Sequence, residues 1–284
     1  MVALLFAGVL QVAAGLVVYA AGAAVMAARH ALAGGPIPSA QALLSGAREL
    51  VDSAWGISAS SLGFSLALGG FALLLGALSP APWRRRLRLE PSPLGWGGLG
   101  LAVLGFLALS TVSDSVVRLL GMQDRGTIGR LVIAFEDASP GALVLGVLGV
   151  GLAAGTAEEL FFRGFMQSRL VERWGRWAGI AVTALAFGVY HLDALQGGFA
   201  VAVGLYLGWL TDRAGSVRPA AVAHAVNNSA WVLSTALLPQ PGPALDVGLL
   251  VLSLGVAAGA TVLVRRRLAA RPASATAGAR PGPG

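Results

Sequence analysis

From residue 140 to residue 156 the chain carries no charged side chain, and it then sets Glu158, Glu159 and Arg163 into the apolar string AEELFFRGFMQ, residues 157–167. A bilayer needs about 20 consecutive apolar residues to be crossed by a helix, so this run brings three charges to the end of a membrane helix, or somewhat inside it. An ionised side chain at the centre of such a helix costs about 2.5–3.5 kcal/mol, which demands a reason for all three. On a helix, neighbouring residues are turned about 100° apart and residues four apart share a face. Glu159 and Arg163 are therefore natural partners. Glu158 projects elsewhere and has no sequence neighbour to neutralise it. A structural ion pair with one solvated carboxylate at a membrane surface is the plain explanation; a functional carboxylate is the other.

The whole chain shares this character. It is 56% hydrophobic and 12% charged, with mean hydropathy +0.76. Soluble domains carry about 25% charged residues. Eight apolar spans can be drawn, over residues 2–28, 53–78, 94–113, 140–157 (running on into the glutamates), 177–191, 194–211, 219–238 and 245–264. The expected fold is an all-α polytopic membrane protein, a bundle of about eight transmembrane helices around a membrane-embedded polar cavity. The first span is too long for a signal-peptide core and lacks a basic leader, so it should be retained. Residues 1–137 then hold about three helices with their loops, 138–240 a core carrying the polar motifs, and 241–268 the last helix. Residues 269–284, rich in Pro, Ala and Gly, should form a disordered cytoplasmic tail. No soluble domain and no internal repeat stands out. Cysteine is absent, which excludes thiol catalysis, thiolate metal sites and disulfides.

Arginine placement gives the orientation. Residues 80–93, 158–176, 212–218 and the C-terminal tail hold 15 of the 20 arginines, against five in residues 29–52 and 114–139. Positive charge beside span ends stays in the cytoplasm, so both termini are expected there. The net charge of +7 comes from arginines flanking apolar spans, which reads as anchoring to membrane lipid and not as nucleic-acid binding. Every basic residue is arginine and glycine is abundant, as a GC-rich coding sequence would give. A bacterial cytoplasmic membrane is the expected location. Tryptophans at span ends (Trp55, Trp83, Trp96, Trp174, Trp177, Trp209) suit interfacial anchoring.

Few polar residues lie within the second half of the chain. His191 closes the string FGVYH, with Phe187 one turn earlier, and His224 opens HAVNN, with Asn228 four residues on. Buried ionisable groups in membrane helices mark function by default. A carboxylate and an imidazole can hold and deprotonate a water. A second imidazole and a carboxamide can donate hydrogen bonds to an oxyanion. One glutamate and two histidines would also satisfy a catalytic zinc, although the HExxH spacing that sets two histidines on one helix face is missing.

EELFFRG, FGVYH and HAVNN, in that order on successive apolar spans, resemble the EExxxR, FxxxH and HxxxN motifs of the CPBP family of intramembrane proteases. That family includes CAAX prenyl proteases and bacteriocin-processing and self-immunity proteins. The resemblance covers roughly residues 140–238 and implies a helical bundle around a cavity opening to the cytoplasmic side. It implies Glu158 as general base, His191 helping to hold the water, and His224 and Asn228 stabilising the oxyanion. Glu159, Arg163 and Phe187 would support them. No cofactor is expected, with zinc as the alternative that HExxH would have favoured. The expected activity is endoproteolysis of a hydrophobic or lipidated membrane protein by activated water. A non-catalytic scaffold or immunity protein and a proton-coupled transporter are the rivals, the latter calling for inverted repeats that the sequence does not display.

A reporter fused after Arg265 tests the orientation: it should be active only in the form that works in the cytoplasm. Activity of an exported reporter at that position would reverse the assignment.

Overall fold

The computed structural model describes residues 2–35 and 38–270, so the expected disordered tail lies, from residue 271 onward, outside the described residues. Those residues form an all-α, multi-spanning membrane bundle without strands among them. Its helices are α1 (Val2–Leu32), α2 (Ala40–Asp52), α3 (Ala54–Ala77), the single turn α4 (Trp83–Arg86), α5 (Gly95–Leu119) and α6 (Gly126–Glu136). A long helix α7 (Pro140–Trp174) follows, then α8 (Arg176–Tyr190), α9 (Ala194–Ala214), α10 (Arg218–Leu237) and α11 (Pro243–Ala269).

Each apolar span drawn from sequence falls on one of these helices, and six helices are long and apolar enough to cross a membrane. The two outside that set are α8, only 15 residues long, and α10, which has 20 residues but less apolar character. At about 1.5 Å per residue α8 reaches about 22 Å, short of a hydrocarbon core of about 30 Å. The first of these ends at His191 and the second carries His224. Helices α2 and α6 were expected as loop. At 13 and 11 residues they are too short to span, and their mixed polarity leaves no long apolar run. Helix α5 continues six residues past the expected end at Ser113, which keeps Asp114 within the helix.

The ends of the elements follow local chemistry. Ser139 caps α7 by accepting from Ala142 N (3.4 Å), with Pro140 in the first turn where its missing N–H costs nothing. Gly175 (φ +84°) turns α7 sharply into α8, and Gly215 (φ +63°) closes α9 in the left-handed region. Helix α7 is not uniform. Residues Val147–Ala154 and Leu160–Gln167 are π-helical and flank an α-helical turn at Gly155–Glu159. Such widened turns occur mostly at functional positions. Close approach accompanies them: a Cβ at Gly155 would stand 2.6 Å from Ala225 N of α10.

The two ends of the bundle are tied differently. At one, Val217 N donates to Arg88 O (2.9 Å), Ser216 Oγ to Glu90 O (2.6 Å), and Arg176 pairs with Asp212 (2.6 Å). At the other, Arg118 pairs with Asp246 (2.7 Å) across α5 and α11. There Asp193 caps α9 by accepting from Leu195 N and Gln196 N at 3.0 and 2.9 Å, and it also accepts from Thr127 N of α6 (2.8 Å).

The backbone N–H groups of Gln196 and then Thr127 hold the Asp193 carboxyl below the ordinary carboxylate range. Its contribution is therefore complete above the unfolded value, about 3.9, and is lost as pH falls through the lower folded value. Asp193→Asn keeps the acceptor oxygen and removes the charge. In detergent it should lower the melting temperature near pH 7, with the difference from wild type closing as pH falls through the lowered folded value. A difference that persists at low pH would mean the carboxylate charge is not what ties α6 to α9.

Candidate active site

The site grows from the face of α7 that the motif residues share. Arg163 and Glu159 are both fully buried, and Arg163 Nη1 donates to Glu159 Oε1 at 2.7 Å. The other guanidinium nitrogen, Nη2, donates to Gly204 O of α9 (3.4 Å), and the planar group lies 4.3 Å from the centre of the Phe187 ring. One turn further, the buried Gln167 donates to Gly208 O (2.9 Å). Bare glycine on α9 admits both side chains, since a Cβ at Gly208 would stand 2.7 Å from Gln167 Oε1. Residues 159, 163 and 167 thus form one polar stripe at i, i+4 and i+8. Gln167 could have been found in the sequence by carrying that spacing one step on.

The Glu159 contact that sequence spacing did not offer comes from α10. His224 Nδ1 donates to the same Glu159 Oε1 at 2.9 Å. The carboxylate therefore fixes the ring as well as the guanidinium. The opposite nitrogen, Nε2, lies 3.8 Å from Glu158 Oε2. Glu158 is accordingly not isolated, as its sequence neighbours suggested, because its polar neighbour His224 arrives from 66 residues away. Glu158, Glu159 and His224 make a buried charged cluster of the kind a catalytic site uses.

His191 follows the last turn of α8. Its Nδ1 donates to Phe187 O (2.8 Å), and its ring meets the Phe187 ring edge-on at 4.8 Å. A carbonyl can only accept, so Nδ1 carries the proton and Nε2 of the neutral ring keeps its lone pair. The next residue, Leu192, holds φ +54°, an uncommon conformation for a branched side chain. Asn228 Nδ2 donates to Val150 O of α7 (3.2 Å) and its Oδ1 accepts from Asn227 (3.3 Å), leaving one amide hydrogen uncommitted.

Glu158, His191, His224 and Asn228 all line one cavity of about 480 Å³, together with Phe187 and Tyr190. Glu159 and Arg163 lie beneath it and do not reach its surface. Among residues sequence reasoning passed over, Tyr190 and Asp114 also line the wall. Asp114 was assigned to a loop, and only the extension of α5 brings it there. Among the described residues, no three His, Asp or Glu side chains are grouped so as to hold a metal ion. The donor set of a zinc hydrolase is not assembled by this arrangement.

A family model described as Rce1-like, Type II CAAX prenyl endopeptidase Rce1-like, matches residues 140–230. A CAAX-protease-like domain is thus matched over that part of the chain. The matched stretch runs from the start of α7 into α10 and contains all seven residues singled out from the motifs. No curated protein and no solved structure matches the chain.

Removing one partner of a buried ion pair strands the other, a loss of about 3–5 kcal/mol. Glu159→Gln should therefore lower thermal stability by about that amount, while Glu159→Gln combined with Arg163→Met recovers much of it. Normal melting of the single variant would show that Arg163 is not held by this carboxylate.

Proposed function

We propose that the protein is an intramembrane endopeptidase that hydrolyses a peptide bond of a hydrophobic or lipidated membrane-associated protein. Eight of its helices lie across the membrane and both termini are cytoplasmic. The observation that carries the activity is the meeting of Glu158, His191, His224 and Asn228, from two helices and the end of a third, on one cavity wall.

In this reading Glu158 is the general base. It takes a proton from a water held with the help of His191 Nε2, while the water oxygen bonds to the scissile carbonyl carbon. The carbonyl oxygen becomes an oxyanion and accepts hydrogen bonds from Nε2–H of His224, a ring that carries both of its protons in this step because Nδ1–H stays on Glu159, and from the uncommitted amide hydrogen of Asn228. Collapse breaks the C–N bond, and Glu158 returns the proton to the leaving amine. The products are one carboxyl and one amino terminus, with no net gain or loss of protons at the enzyme. General-base assistance contributes typically about 10²–10⁴-fold, and each oxyanion donor about 10²–10³-fold. Glu159 acts through His224, since its bond to Nδ1 aims Nε2 at the cavity, and Arg163 keeps that carboxylate charged and in place. Phe187 supplies the carbonyl that orients His191. Asparagine is a poor metal ligand but a good amide donor, which suits a metal-free mechanism better than a zinc site.

Glu158→Gln should abolish cleavage of a membrane-embedded substrate while folded yield and melting stay close to wild type. Asn228→Ala should lower kcat by about 100-fold with KM nearly unchanged, because the lost bond belongs to the transition state. Exhaustive chelation should leave the wild type active. Activity that disappears with stoichiometric zinc and returns when zinc is restored would overturn the metal-free mechanism. Full activity of Glu158→Gln would overturn the protease itself.

A further inference from the structure

One carboxylate on the cavity wall takes no part in hydrolysis. Asp114 lines the cavity from α5, five residues before that helix ends at Leu119. By helical spacing its natural partner is Arg118, four residues on. That guanidinium is turned to α11 instead, where Nε and Nη2 both donate to Asp246 Oδ1, at 2.8 and 2.7 Å. Asp246 is buried, so those two charges answer each other and the charge of Asp114 is left over. Among the described residues Asp114 makes no hydrogen bond and no ion pair of its own. An uncompensated carboxylate on a membrane helix is costly, and such groups mark function by default.

The rest of the wall supplies no countercharge. The chain has no lysine, and among the described residues no arginine lines the cavity. Arg130 donates to Thr127 Oγ1 (3.2 Å), but its own side chain is exposed and outside the lining. The wall is instead rich in acceptors. Three lining serines commit their hydroxyl hydrogens to backbone carbonyls: Ser113 to Leu109 O (3.3 Å), Ser60 to Gly56 O (2.6 Å) and Ser61 to Gly149 O (3.1 Å). Each has only lone pairs left to offer a ligand. An ammonium or a guanidinium is the complement of such a wall, since both carry donors alone and a positive charge.

We propose that Asp114 is a specificity residue that binds a cationic group of the substrate, an ammonium or a guanidinium, in the cavity where the peptide bond is cut. Ser113, its neighbour on the wall, accepts a further hydrogen bond from the same group. Val117, one turn on along that face of α5, gives the methylenes of a basic side chain an apolar surface. A lysine or arginine side chain can supply the cation, and so can a free amino terminus. Binding neutralises Asp114, so the cost of holding that carboxylate in a membrane helix is relieved only when a substrate with this group is in place. That the cation belongs to a peptide rests on the protease reading; the cation site itself rests on the composition of the wall.

The test uses the full-length protein in detergent and a short apolar peptide, acetylated at its amino terminus and amidated at its carboxyl terminus. One lysine is walked through its positions, with glutamine and glutamate at the same positions for comparison. On Glu158→Gln, which holds the peptide without cutting it, lysine at one position should bind about 10-fold tighter than glutamine. Adding Asp114→Asn should abolish that preference. Asp114→Glu should keep it, and Asp114→Lys should turn it in favour of glutamate. Each ratio compares two peptides on the same folded molecules, so a loss of yield does not imitate the effect. A glutamine peptide with its amino terminus left free identifies the source: tightening there that needs Asp114, with none from lysine, assigns the cation to the chain terminus. No preference for either cation, or one that survives Asp114→Asn, overturns the site. In the wild type the same preference should appear in kcat/KM. Binding of the cationic peptides that depends on Asp114, with no cleavage of any peptide by the wild type, supports the site and overturns the protease reading.

Discussion

One oxygen atom, Glu159 Oε1, joins the helices that carry the site. It accepts from Arg163 on its own helix and from His224 on α10, while the same guanidinium reaches α9 and lies on a ring of α8. Four helices therefore share one buried electrostatic junction. Apolar helices in lipid have little hydrophobic drive to choose one packing over another, because lipid tails are as apolar as leucine. A buried charge supplies the choice. Any slide of α10 against α7 that parts His224 from Glu159 leaves polar groups without partners in a medium of low dielectric. The small residues Gly155, Gly204 and Gly208 are what let the backbones come close enough for the junction to form.

The same junction separates two jobs that adjacent glutamates could otherwise confuse. Glu159 is turned to the interior and is consumed by structure. Glu158, about 100° around the helix, is turned to the cavity with one flank on His224 Nε2. A ring fixed at one nitrogen by a carboxylate and open at the other is the arrangement by which hydrolases orient an imidazole. His191 is fixed by a different means to the same effect, through the carbonyl of Phe187. Phe187 thus links the two histidines: its carbonyl holds one, and its ring lies 5.9 Å from the other.

Much of this was legible in the chain because helical spacing and hydropathy are local signals. The pairing of Glu159 with Arg163, the alignment of Phe187 with His191, and the eight apolar stretches all follow from positions a few residues apart. What could not be read was long-range. His224 lies 65 residues from Glu159, and no spacing rule says which carboxylate of the pair it meets. The π-helical turns of α7 leave no compositional mark in a glycine- and alanine-rich helix. The short helices α2 and α6 are too brief and too polar for a hydropathy reading. With them went part of the cavity wall, since Thr127 and Ile128 belong to α6.

The helices that carry the histidines are also the ones least able to live in lipid alone. α8, at 15 residues, is shorter than the hydrocarbon core, and α10 spends its apolar character on His224, Asn227 and Asn228. Both persist because neighbours enclose them: α7 and α9 flank α8, and α5 and α7 flank α10. That division is physically forced. A helix apolar enough to insert by itself has no room for an imidazole and two carboxamides on one face, at about 2.5–3.5 kcal/mol for each misplaced charge and less for each amide. Six strongly apolar helices make a solvent for two polar ones, and the polar groups then face each other across a cavity instead of facing lipid.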